Sequence, residues 1–314
     1  MPTMIEEFSG YDYQFHKKPS DAAAASLYHH LLSLRDLARS VPLDQGMQFV
    51  LDLQIPPQNP HPAARQVPST LTTDRFQSAP VTLRLDTALQ SGCDRFSQVW
   101  TATVIGVPET RLVMKIIQPS LCLLPDPSNM HWREAYYNPL DLAHNEAWVY
   151  QKLARRQGLS IPYFFGIFDI TTPSGEAAWV LVLEFIAGPT IHDVAKSMST
   201  DTVHDFCTLG LDAVRDLALS GWTLRDIRCS NFILSGPSGS RAVVMIDLYD
   251  TVHVIPPPTL ERLAMVDAKR FFDAFQSCVS DEYPRIHDWA KQNLPLIVWD
   301  YGYDPSFPDS EEHI

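Results

Sequence analysis

Leu224-Arg-Asp-Ile-Arg-Cys-Ser-Asn231 sets an aspartate and an asparagine five positions apart, on a loop leading into the apolar run Phe232-Ile-Leu234. A second apolar run, Val243-Val-Met-Ile246, follows a turn rich in Gly, Ser and Pro and ends on Asp247-Leu-Tyr249. Two short apolar runs flanking such a turn predict a β-hairpin. A loop of this kind can bring the carboxylate of Asp226 to a substrate hydroxyl and the amide oxygen of Asn231 to a metal ion. A carboxylate at a strand end, as at Asp247, is well placed to hold Mg2+ against phosphate oxygens. Singly, these signals are weak. Asp-x-x-x-x-Asn is common by chance, both residue types favour turns, and many strand-ending aspartates have no function.

Upstream, Leu112-Val-Met-Lys-Ile-Ile117 is apolar except for Lys115. A lysine in an apolar strand is costly to bury unless it is paired; alone, it would snorkel to the surface. Glu146 offers the pairing from a helix predicted over 142–156, in Asn145-Glu-Ala-Trp-Val-Tyr-Gln-Lys-Leu153. A strand lysine held by a helix glutamate can present its ammonium to nucleotide phosphates. Strands are predicted over 81–85 and 96–104, with Gly92 in the loop that joins them, and again over 164–170 and 178–185. Strands, one helix and more strands describe a small sheet carrying a single helix. Beyond Gly188 the pattern turns helical, with candidates at 190–197, 201–220 and 266–278.

The order of these features carries more than any one of them. A glycine-bearing strand turn, a strand lysine, a helix glutamate, an apolar strand with an acidic end, Arg-Asp-x-x-x-x-Asn and a strand-ending aspartate follow one another. In this the chain resembles the protein-kinase superfamily, over about residues 81–250. The resemblance implies an α+β, two-lobed protein-kinase-like fold that binds ATP and Mg2+. Its N-lobe and hinge would span 81–187, a small antiparallel sheet with one main helix. A reduced, mostly helical C-lobe with an acidic tail would span 188–314, and 1–80 would be an N-terminal extension. It further implies a phosphate loop with Gly92, Phe96 and Val99, and phosphate contact by Lys115 paired with Glu146. The hinge would be Leu183-Glu-Phe-Ile186, with backbone groups of Glu184 and Ile186 at the adenine and Leu183 as gatekeeper. Asp226 matches the catalytic aspartate, Arg228 a cation near the moving phosphate, and Asn231 and Asp247 the metal-binding pair. Asp267 matches an aspartate that braces the catalytic loop from a later helix.

The chain also departs from the family. The phosphate loop of protein kinases reads Gly-x-Gly-x-x-Gly-x-Val, whereas here it is Gly92-Cys-Asp-Arg-Phe-Ser-Gln-Val99, with Asp94 and Ser97 at the second and third glycines. Leu224 stands where many kinases have histidine, and Leu248 and Tyr249 replace the Phe and Gly after the metal-binding aspartate. There is no Ala-Pro-Glu segment, and the second lobe is short, as in atypical kinases and small-molecule phosphotransferases. Asp94 could face the phosphates, point to solvent or help hold a metal. Two functions stay open. One is a phosphotransferase that passes the γ-phosphate to a hydroxyl of a protein serine or threonine or of a small molecule. The other is a pseudokinase that binds nucleotide or a partner with little catalysis.

Composition bounds these readings. Hydrophobic residues make up 45% and charged residues 19% of the 314, as in a globular chain with a core. The net charge of −13 argues against general nucleic-acid binding, which needs clustered Lys and Arg. The most apolar stretch, 178–188, is too short to span a bilayer and contains Glu184. The five cysteines show no metal spacing. An intracellular, cytoplasmic protein without membrane or nucleic-acid partners is expected. In the extension, Ser20 and Asp21 can cap a helix with Leu27, Leu31, Leu34 and Ala38 on one face. Phe49, Leu51, Leu53 and Ile55 alternate as in a strand, and five prolines stiffen 56–69. The segment reads as an appendage packed on the main domain. The tail from Asp300 is acidic and rich in Pro and Ser.

Overall fold

In the computed structural model the described residues are 21–71, 79–124, 138–195, 199–236, 241–254, 260–279 and 286–294. Alternating apolar residues build a six-stranded antiparallel sheet. Its strands are β1 (Gln48–Leu51), β2 (Val81–Gln90), β3 (Gln98–Val104), β4 (Val107–Ile117), β5 (Phe164–Thr171) and β6 (Ala177–Glu184), in the order β1-β2-β3-β4-β6-β5. The fold is mixed α and β with this large antiparallel sheet. One unit, Met1–Gly158 with Tyr163–Phe185, contains the sheet; the other comprises Leu159–Pro162 and Ile186–Ile314.

Period-two patterning decides what each sheet face buries. Leu112, Met114 and Ile116 of β4, with Val180 and Val182 of β6, share a core with Leu83, Leu85 and Phe165. Leu43, Leu51, Leu53, Val67 and Leu71 join it, so the segment that reads as an appendage supplies part of the sheet's apolar cover. The strand expected over 49–55 is regular only over Gln48–Leu51. The alternate residues of β4 and β6, Lys115 and Leu181 among them, pair across the strands and face the other way. On this second face lies helix α2 (Pro139–Lys152), which touches β4, β5 and β6. Its start fits its sequence: Asn138 accepts a hydrogen bond from the Leu140 N–H, and Pro139 takes the first turn, where no N–H is needed. Helix α1 (Asp21–Ser40) precedes the sheet.

The second unit contains helices α3 (Ile191–Val194), α4 (Thr200–Leu219), α5 (Leu260–Val279) and α6 (Ile286–Asn293). Strands β7 (Trp222–Leu224) and β10 (Thr251–His253) pair with each other, and β8 (Phe232–Ser235) pairs with β9 (Ala242–Met245) as the expected hairpin. Its core is aromatic: the Phe271 ring lies 4.8 Å from Phe232 and 5.9 Å from Phe275. Gly210 in mid-α4 makes room for it, since a Cβ there would lie 2.1 Å from the Phe271 ring. Among the described residues no helix is long and apolar enough to cross a membrane. The turn residues 237–240, the end of the 190–197 helix candidate and the acidic tail lie outside the described residues.

Candidate functional site

Lys115 and Glu146 meet as the apolar strand requires. The Lys115 Nζ lies 2.6 Å from Glu146 Oε2, with side-chain exposures of 8% and 0%. Ala143, Ala147, Val149 and Tyr150 bury α2 around the glutamate, which leaves its carboxylate no access to water. Lys115 does not snorkel to the surface. Val99 of β3 is its cross-strand neighbour, so the proposed phosphate loop runs straight into the strand position beside the lysine.

In the loop, Asp94 is 59% exposed, as its solvent-facing placement expects, and it also carries an ion pair. Gly92 has φ +107° with open space around it, and Asp94 takes the left-handed backbone at φ +57°. The Gln90 Nε2 donates to the Ser97 carbonyl at 2.9 Å, closing the loop. The Phe96 carbonyl accepts from the Cys122 thiol at 3.6 Å. Asp94 Oδ1 accepts from Arg35 Nη1 of α1 at 3.0 Å. Arg35 lies in the apolar stripe of α1 between Leu31 and Ala38, and all three are buried. An arginine at i+4 and i−3 from apolar residues of the stripe was a sequence signal that Arg35 is buried, though not of what it meets.

At the hinge expected over 183–186, Leu183 and Ile186 are buried. The Glu184 N–H donates to the Tyr163 carbonyl at 2.9 Å. The Glu184 carboxylate accepts from Arg65 Nε at 2.8 Å and Nη2 at 2.9 Å, and from the Tyr163 N–H at 3.0 Å. Arg65 comes from the proline-rich connector. The Tyr163 hydroxyl donates to the Arg65 carbonyl and accepts from Gln58 Nε2, at 2.8 and 3.1 Å. The connector is thus a hydrogen-bonded strap over the strand end that carries Glu184.

In the second unit the residues of the Arg-Asp-x-x-x-x-Asn stretch converge. Pairing of β7 with β10 continues through the Arg225 N–H, which donates to the Asp250 carbonyl at 2.9 Å. Asp226 Oδ1 lies 2.5 Å from Arg228 Nε, and Arg228 is 67% exposed. The Tyr249 hydroxyl donates to Asp226 Oδ2 at 3.5 Å. Asn231 Nδ2 donates to the Asp226 carbonyl at 3.0 Å, and the Asn231 carbonyl accepts from the Ile246 N–H at 2.9 Å. That last bond extends the β8–β9 ladder and brings Asp247 next to Asn231. Asp247 has φ +64°, a left-handed conformation that concentrates at functional sites in non-glycine residues. Asp267 Oδ1 accepts from Thr223 Oγ1 at 2.8 Å and Arg270 Nη1 at 3.2 Å, and Arg270 Nη2 donates to the Arg225 carbonyl at 2.7 Å. Asp267 thereby braces the loop through Thr223 and Arg270.

No family model and no curated protein matches the sequence.

The chemistry of the second unit therefore rests on its own geometry. Asn231 and Asp247 offer hard oxygen donors, the type Mg2+ takes from protein when phosphate oxygens and water complete its shell. Among the described residues no group of three or more His, Cys, Asp or Glu could hold a metal ion. Charge is concentrated here: burial, then the carboxylates of Asp226, Asp247 and Asp250, pushes the Tyr249 hydroxyl upward. Asp250 was not singled out from the sequence.

Burial is also the main cause that pushes Asp250 from 3.8 up to about 6, with Asp226 and Asp247 adding and Arg225 and Arg270 opposing. The folded chain holds this proton more tightly than the unfolded one. The resulting stability is fully present below pH 3.8 and is lost as pH rises through about 6. Asp250→Asn is expected to stabilise the metal-free protein at pH 7 by about 1–2 kcal/mol, allowing for partial solvent screening. It should also flatten the fall in stability between pH 4 and 6. Urea denaturation across that range checks this; an unchanged slope would assign the titration to another group.

Proposed function

We propose that the chain is a protein-kinase-like phosphotransferase that uses ATP and Mg2+ and passes the γ-phosphate to a hydroxyl acceptor, with a protein serine or threonine as the favoured class. The observation that carries this reading is the Lys115–Glu146 pair, because a fully buried carboxylate that fixes a strand lysine is costly to keep for packing alone. The convergence of Asp226, Arg228, Asn231 and Asp247 supports it. In this mechanism the Lys115 ammonium contacts ATP phosphates, held in place by Glu146. The Gly92–Val99 loop covers the phosphates, and Leu183, Glu184 and Ile186 meet the adenine. Asp226 orients the acceptor hydroxyl and takes its proton as the oxygen attacks the γ-phosphorus and ADP leaves. Arg228, exposed and anchored on Asp226, steadies the charge that moves to the leaving oxygen. Asn231 and Asp247 would hold Mg2+, which when bound neutralises charge on the phosphate oxygens. Catalysis of this kind is mostly positioning and electrostatics.

A pseudokinase is the second reading. It is favoured by Tyr249, whose hydroxyl lies on Asp226 Oδ2 where the family has a glycine. Incubation with γ-labelled Mg-ATP and a mixture of serine- and threonine-containing peptides separates the two. Labelled peptide or label on the chain itself, lost in Asp247→Asn, is expected of the enzyme. ATP binding with no label transferred would leave the pseudokinase.

A further inference from the structure

Arg35 reaches from α1 into a site built of acceptors. Its Nε donates to the Ser120 carbonyl at 2.6 Å, its Nη2 to the Cys122 carbonyl at 2.5 Å and its Nη1 to Asp94 at 3.0 Å. The residue is only 7% exposed. A planar fork with several fixed donors can satisfy all three acceptors, and a lysine cannot. Ser120 is held from its other side by Glu176, also buried, which accepts from the Ser120 N–H at 2.8 Å and from its hydroxyl at 2.6 Å. Glu176 also accepts from Gln118 Nε2 at 2.8 Å. This turn directly continues β4, the strand that carries Lys115. The loop has its own tie to the turn, since the Arg95 N–H donates to the Leu121 carbonyl at 3.4 Å. A second arginine of α1, Arg39, donates from Nε to the Cys93 sulfur at 3.3 Å.

We propose that α1 is a latch on the phosphate loop, and that Arg35 is a positioning residue that sets the loop's nucleotide affinity. Two effects of one side chain act together. The guanidinium fixes residues 92–97 against the turn 119–122, and it neutralises the carboxylate that replaces a glycine of the loop. Asp94 is 59% exposed, so its charge is felt by any anion beside the loop. Without Arg35 that charge would oppose the phosphates. Ligand affinity is thereby tied to whether α1 is seated, which makes the N-terminal segment a point of control. For a docking helix alone, an apolar residue would serve the buried stripe better than a buried cation.

The inference rests on the nucleotide-binding reading for its second effect and not for its first, so the test has two arms on the full chain. Amide hydrogen exchange reads the latch without nucleotide. Arg35→Gln is expected to speed exchange at 92–97 and 119–122. Asp94→Asn keeps both carbonyl bonds of Arg35, and hence the fold, and is expected to speed exchange at 92–97 alone. Calorimetric titration with Mg-ATP reads the coupling. Arg35→Gln is expected to raise Kd by roughly 3- to 50-fold, the range for an uncompensated charge several ångströms from a phosphate. The effect should shrink at high salt, and adding Asp94→Asn should return most of the affinity. Unchanged exchange in both variants overturns the latch. An unchanged Kd for Arg35→Gln, or a double variant as weak as Arg35→Gln alone, overturns the electrostatic coupling. Wild type that fails to bind Mg-ATP overturns the phosphotransferase reading, and the exchange arm then decides the latch by itself.

Discussion

Asp226→Asn is expected to lower phosphate transfer by about 10² to 10⁴-fold, the usual worth of a positioned general base, while leaving the fold nearly as stable. The geometry explains why the two effects separate. The loop is shaped by backbone groups: Asn231 Nδ2 binds the Asp226 carbonyl, the Arg225 N–H binds Asp250, and Arg270 binds the Arg225 carbonyl. None of these bonds uses the Asp226 carboxylate. That carboxylate, 12% exposed, touches the largely exposed Arg228 and the Tyr249 hydroxyl, and asparagine keeps a polar atom for each, which holds the cost to about 1 kcal/mol. Asparagine has nearly the same shape. Label transfer and a thermal melt on the same preparation check both halves. Equal activity in the variant would move the base elsewhere, and a large loss of stability would show that the carboxylate holds the loop.

The largest effect on stability is expected at Lys115. Lys115→Met leaves Glu146 at 0% exposure without its ammonium, and stranding one member of a buried pair costs about 3–5 kcal/mol. Glu146→Gln should also destabilise, by less, because an amide is neutral. Replacing both, Lys115→Met with Glu146→Gln, should recover part of the loss, since a buried amide without its partner costs less than a stranded charge. Urea denaturation of the four proteins gives the coupling energy. Additive losses would mean that the two side chains stabilise the sheet and α2 independently. In nucleotide binding the double variant should be little worse than the worse single, because groups that act as a unit lose their effect together.

The parts of the fold that were legible are those set by local pattern. Apolar patterning located the strands of the six-stranded sheet but not the short β7 and β10, and the lone lysine in an apolar strand called for a partner, which the next helix offered. The apolar runs around a Gly- and Ser-rich turn gave the hairpin that brings Asn231 beside Asp247. What stayed hidden was which distant partners the charged residues reach. Arg35 reaches Asp94 across 59 positions, and Arg65 reaches Glu184 across 119. No periodicity reports a contact at that range. The sequence offers no sign that Asp94 pairs with an arginine, because the helix bearing its counter-charge belongs to a segment that reads as peripheral. The prolines of 56–69 signalled stiffness, but they could not reveal that the strap closes around the Tyr163 hydroxyl.

Calorimetric titration of the wild-type chain with Mg-ATP, paired with a thermal melt, tests the central claim most directly. A ligand bound only by the folded state adds RT ln(1 + [L]/Kd), about 2.7 kcal/mol at a hundredfold excess over Kd. The expected result is a saturable one-to-one heat and a melting temperature that climbs several degrees with Mg-ATP, both strongly reduced in Asp247→Asn. A folded wild-type protein that gives no heat and no melting shift at millimolar Mg-ATP would contradict the account.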